Sequence, residues 1–230
     1  MALATLRTAP LVSGFIVTIM ILLATAFQGA LAVAPATSTA AAVETAAAAG
    51  TTTVRVPMNG TQYRTTALAC SKSTLAGFAK KVTLKPKLLF HWKIVGSTLY
   101  GAIVAQAGGG AKNGWISVAW TQSPGQMYPA DAVVGNLPAP TRVKAYAMNG
   151  YSMSSVVPSS AFKVTATSVT SSTSATIIKF TRSGKTGLSP IKYAGTNNII
   201  WAYSYSGSSK AFGDHGPNWG SASVNLACNV

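Results

Sequence analysis

Two loops of this 230-residue chain hold the residue types from which a cofactor site can be built. The first reads Gly125-Gln126-Met127-Tyr128-Pro129 and runs straight into Ala130-Asp131-Ala132-Val133-Val134-Gly135. Most methionines fill gaps in a core, and Met127 can be read so; a thioether on a polar loop is less easily explained that way. The second loop, Phe212-Gly213-Asp214-His215-Gly216-Pro217-Asn218-Trp219-Gly220, carries one of only two histidines. Its glycines leave room for a large flat ligand, and loops of this kind carry function more often than core packing. The other histidine, His91, lies within Leu88-Leu89-Phe90-His91-Trp92 and reads as a solvated or hydrogen-bonded strand residue.

The shortage of donors narrows the chemistry. Acidic residues are only Glu44, Asp131 and Asp214, so the paired carboxylates of a glycosidase and the several needed by a two-metal hydrolase are missing. Zinc takes three or four His, Cys or carboxylate ligands, and calcium a cage of oxygens. Haem iron asks a protein for two axial ligands, and Met with His is a recognised pair. Among metal centres, the composition best permits haem. A Ser-His-Asp hydrolase is disfavoured: Asp214 is adjacent to His215 in sequence, and no Gly-x-Ser-x-Gly elbow occurs.

Eighteen Lys and Arg against three acids give a net charge of +15. Such a balance points to an anionic partner, an acidic protein, lipid surface or polysaccharide. The tightest basic group, Lys80, Lys81, Lys85, Lys87 and Lys93, is interleaved with apolar residues and matches no nucleic-acid-binding motif, so nucleic acid is not expected.

Residues 1–34 have the layout of a signal peptide: Arg7, an uncharged apolar run from Leu11 to Phe27, and small residues that place cleavage after Ala32 or Ala34. An uncleaved anchor is the competing reading, because the run approaches the ~20 residues that span a bilayer. Residues 35–53 are Ala, Thr, Ser, Pro and Gly with almost nothing to bury, an Ala/Thr-rich linker. An oxidising compartment then makes Cys70 and Cys228 a disulfide joining the ends of the domain, and Asn59-Gly60-Thr61 a glycosylation sequon.

From residue 54 to 230, short runs of Val, Ile, Thr, Tyr and Trp alternate with Gly, Pro, Asn and Ser, the pattern of an all-β sandwich. Strands are predicted at 54–58, 87–95, 98–106, 115–121, 131–137, 142–149, 162–169, 175–181, 198–205 and 222–227. Val95-Gly96-Ser97 closes a hairpin, Gly108-Gly109-Gly110 opens a loop and Ser183-Gly184-Lys185 breaks a pair. Leu75 to Val82 reads as a short helix that Lys85-Pro86 terminates; no helix of three turns is expected.

Five motifs in order carry a family resemblance: Leu89-Phe90-His91-Trp92, Gly114-Trp115-Ile116-Ser117-Val118-Ala119-Trp120, Met127 before Ala130–Gly135, Ile199-Ile200-Trp201-Ala202-Tyr203, and His215 with Trp219-Gly220. Over about residues 68–227 the chain resembles a DOMON domain. It is most similar to the haem-binding branch, which includes the cytochrome domain of cellobiose dehydrogenase and plant secreted auxin-responsive cytochromes. The resemblance implies an immunoglobulin-like antiparallel β-sandwich with haem b held between Met127 and His215, in an extracytoplasmic, secreted or membrane-anchored domain that transfers single electrons and has no catalytic centre of its own. Relatives carry a basic residue shortly after the histidine; here the loop reads Gly216-Pro217-Asn218-Trp219 and offers none to a haem propionate. Trp115, Tyr128 and Trp219, with Trp120 and Trp201, are candidates to line the pocket, and each suits a sandwich core equally. The expected partner is a separate redox protein, a membrane cytochrome or a dehydrogenase. The alternative is a haem-free carbohydrate or small-ligand-binding module.

Overall fold

Alternation of apolar and polar residues drives each strand to bury one face, and two such sheets close over a shared core. In the computed structural model the described residues are 52–58 and 61–230, with side chains described from Ala67 onward. The predicted leader, the linker up to residue 51 and Asn59 lie outside them.

The strands are β1 Thr52–Met58, β2 Thr61–Ala67, β3 Ser71–Lys72, β4 Lys80–Lys85, β5 Leu88–Val95, β6 Thr98–Gln106, β7 Ile116–Thr121, β8 Ala130–Gly135, β9 Val143–Met148, β10 Val156–Pro158, β11 Val164–Ser171, β12 Ala175–Ser183, β13 Thr196–Tyr203 and β14 Trp219–Asn225. An eight-stranded sheet runs β1-β2-β14-β13-β7-β8-β9-β10, and a six-stranded sheet runs β11-β12-β6-β5-β4-β3. All pairings are antiparallel except the short parallel contact of β14 with β2. The all-β sandwich expected from the alternation is the fold observed.

Between the sheets lie Phe90, Trp92, Leu99 and Ile103 from one side and Ile116, Val118, Trp120, Val133 and Ile199 from the other. Phe90 stacks on Trp92 and meets Trp120 edge-on. Cys70 and Cys228 form a disulfide, Cα–Cα 6.6 Å, which ties the chain before β3 to the chain after β14.

Two sequence expectations fail locally. The short helix at Leu75 to Val82 is absent; a turn precedes β4, whose Val82 and Leu84 point into the core while it pairs with β5. Helix propensity there is a weak preference, and the open edge of β5 overrides it. Strands β2, β3 and β10 were not expected because Thr/Gln/Arg-rich or two- to three-residue segments carry no apolar period. The hairpin at Val95-Gly96-Ser97 forms as read: Val95 pairs with Thr98, and Gly96 takes φ 57 in the two-residue loop.

Candidate cofactor pocket

An outer sheet face should be polar. Strands β7 and β8 break that rule, since all six residues of each are buried. On the face turned away from the second sheet, the pairing aligns Ala202, Ser117 and Val134 in one cross-strand row and Ile200, Ala119 and Ala132 in the next. Three loops cover this face: 122–129 between β7 and β8, 149–155 between β9 and β10, and 204–218 between β13 and β14. Beneath them lies a cavity of about 370 Å³. It falls in the ~300–1,000 Å³ range of small-molecule sites. Small side chains on the floor are what leave that space, and Trp115, Met148, Val156 and Phe212 wall it. Phe212 is fixed edge-on to Trp115, with ring centroids 5.0 Å apart, and packs on Tyr146 at 4.7 Å.

Met127 and His215 both border this cavity. Met127 comes from the 122–129 loop and packs partly buried against the outer apolar cluster. His215 sits on a loop held to the sheet by Asn218, whose Nδ2 donates to Ser204 O and Tyr205 O, each at 3.0 Å. Asn218 N in turn donates to His215 O at 2.9 Å. His215 Nδ1 donates to Gly216 O at 2.8 Å, which commits that nitrogen and leaves Nε2 as the ring's lone-pair donor. Gly216 has φ 50, and a Cβ there would meet the Tyr205 ring at 2.0 Å, so only glycine closes this turn. Asp214 Oδ1 accepts from Gly216 N at 2.8 Å; the carboxylate braces the turn.

Trp115 and Trp219 border the cavity, as does Trp201. Trp120 lies in the inter-sheet core, and Tyr128 stands outside the lining, its ring 4.8 Å from that of Tyr151, which does border it. Phe212, Met148, Tyr151 and Met153 escaped sequence reasoning. The consecutive apolar residues Ala132-Val133-Val134 in β8 are the available signal that the sheet is covered on both faces. His91 is elsewhere, buried on β5 with Nδ1 2.9 Å from Ser73 Oγ. Burial and the nearby Lys81 lower its pKa to about 4, so it is neutral at physiological pH.

The residues fit a haem. The walls are apolar, the floor is built largely of small side chains, and one imidazole and one thioether border the same space. Among the described residues no three His, Cys, Asp or Glu gather into a metal site, whereas haem asks for only two protein ligands.

No family model matches this sequence, and no curated protein does. Among solved structures, the crystal structure of the cytochrome b domain of pyranose dehydrogenase from Coprinopsis cinerea aligns with 70% of this chain and 89% of that chain, at 14% identity and TM-score 0.52. The chain shares that domain's fold. The cytochrome domain of Myriococcum thermophilum cellobiose dehydrogenase aligns more loosely, over 76% of this chain and 88% of that one, at 13% identity and TM-score 0.43.

Proposed function

We propose that this domain holds one haem b in the outer-face cavity, with His215 Nε2 and the Met127 thioether as axial ligands, and serves as an electron carrier. The observation that carries the reading is that Met127 and His215, on loops 88 residues apart in sequence, border one apolar cavity with His215 Nδ1 already committed to Gly216 O. Bound there, a haem supplies one-electron redox chemistry, and Met/His ligation raises its potential. His215 would hold the ring through an orientation set by its own hydrogen bond, and Met127 would close the second axial position. Held by both residues, the group would pass electrons rather than bind oxygen or peroxide. Trp115, Phe212 and Ile200 would exclude water, and Asp214, engaged with Gly216 N, makes no claim on the imidazole. The partner would be a separate redox protein meeting the cavity mouth at Tyr151, Met153 and Trp219, all exposed. The domain would work outside the cytoplasm, behind the leader at 1–34 and the linker at 35–53. The Cys70–Cys228 disulfide agrees with such a compartment.

A second reading, a haem-free module for carbohydrate, draws on the exposed rings of Tyr128, Tyr151 and Trp219 around the same mouth. Spectra separate the two. Protein produced through a secretory pathway with haem supplied is expected to be red, with a sharp band on reduction. A colourless product that retains glycan supports the second reading and overturns the first.

A further inference from the structure

The loop that carries Met127 rejoins the sheet through Pro129, and the Pro129 carbonyl is held from two sides. It accepts from Ser189 Oγ at 3.1 Å and from Thr121 Oγ1 at 3.3 Å. Ser189 is itself held, because its N donates to Asp131 Oδ2 at 2.8 Å while Leu188 N donates to Oδ1 at 3.0 Å. Asp131 is fully buried and paired with the equally buried Arg182, Nη2 to Oδ2 3.4 Å. The guanidinium lies 4.3 Å from the Phe162 ring centroid and 4.7 Å from that of Trp120, and Nη2 also donates to Thr186 O at 3.3 Å. At Gly187, with φ 106, a Cβ would meet Asp131 Oδ2 at 2.1 Å. The 186–189 segment is therefore wrapped around the carboxylate as closely as backbone allows.

Stability does not account for this hub. Removing a carboxylate and a guanidinium from water costs several kcal/mol per ion, and a well-packed apolar pair often serves a core as well or better. Burial lowers the Arg182 pKa to about 10, which still leaves it charged at neutral pH. Position does account for it. The Asp131 side chain points between the sheets while Ala130 and Ala132, its neighbours on β8, face the outer cluster that Met127 packs against.

We infer that the Arg182–Asp131 pair, acting through Ser189 and Pro129, is a positioning device that fixes where the Met127 loop meets the cavity. The inference rests on the reading of Met127 as a ligand only for its purpose; the mechanical link is independent of any cofactor. Outer-shell groups of this kind commonly change metal affinity by ~10–100-fold without touching the metal.

The test uses Ser189→Ala, Ser189→Thr and Asp131→Asn in the full chain, with two readouts. Amide hydrogen exchange over residues 122–129, measured on haem-free protein, reads the loop directly. In Ser189→Ala it is expected to rise by about fivefold, the worth of one ordinary hydrogen bond, with the core strands unchanged and Ser189→Thr restoring protection. In haem-loaded protein the same variant is expected to weaken the thioether-to-iron charge-transfer band and shift the reduction potential, and Ser189→Thr to restore both. Asp131→Asn should exceed Ser189→Ala in each readout; if it fails to fold, the serine pair carries the test. Unchanged exchange at 122–129, or a rise spread evenly over the whole domain, overturns the positioning role. Raised exchange at 122–129 in a protein that never takes up haem supports the link and instead removes the ligand reading of Met127.

Discussion

At β7 and β8 the two faces of the eight-stranded sheet are both buried, yet they are built from residues of different size. The inner face presents Trp120, Val118, Val133 and Ile199 to the second sheet and is filled. The outer face presents Ser117, Ala119, Ala132 and Ala202, with only Val134 and Ile200 larger, to three loops and leaves a cavity of about 370 Å³. Size, not polarity, separates a core from a site here. A face built to be packed takes large interlocking side chains, and a face built to be occupied takes small ones under a removable cover.

The sharpest way to break this contrast is to change size on each face in opposite directions. Trp120→Ala, at the meeting point of Phe90 and Phe180, should cost about 3–5 kcal/mol of stability by denaturant titration. Ala132→Phe on the outer floor should cost clearly less stability than Trp120→Ala, because the ring enters existing space, while abolishing uptake of added haem. Equal losses of stability from the two variants would mean that the outer cavity is packed space in solution.

Removing the disulfide tests what holds the two sheets together. Cys70→Ser with Cys228→Ser releases a link across 158 residues and should cost about 2–5 kcal/mol, read as a lower midpoint of unfolding. The inner face should feel this loss more than the pocket loops, since the bonded ends lie against the inter-sheet core.

A smaller effect separates the two histidines. His91 is buried with its pKa lowered to about 4 from 6.5, so the unfolded chain binds the proton more readily than the folded one. The resulting stability is complete above pH ~6.5 and is lost as pH falls toward 4. His91→Gln should flatten this part of the pH–stability profile, whereas His215→Gln should leave it in place.

Much of the sandwich was legible because turn chemistry pinned it. Val95-Gly96-Ser97 set the register of β5 on β6, and Val/Ile/Trp runs marked β7 and β13. Strand β4 was not legible, since Lys80–Lys85 has one intrinsic preference and the edge of β5 another. In the pocket, His215 stands out as one of two histidines and Met127 as a thioether on a polar, Gly-containing loop. The floor did not, because alanines and a serine in a strand look the same whether they face a ligand or a neighbouring side chain. Tyr128 and Tyr151 show the remaining gap: one sits next to Met127 in sequence, the other borders the cavity, and only tertiary packing distinguishes them.

The proposed ligation of a haem by Met127 and His215 is read most plainly by a redox titration followed by absorption. Wild-type protein supplied with haem should give a low-spin spectrum and a single one-electron wave. Met127→His should retain the haem at a lower potential, because imidazole favours ferric iron more than a thioether does. His215→Ala should purify largely without haem, and His91→Ala should match the wild type. If Met127→Ala and His215→Ala both purify with the wild-type haem spectrum, or if the wild type takes up no haem at all, Met127 and His215 are not haem ligands.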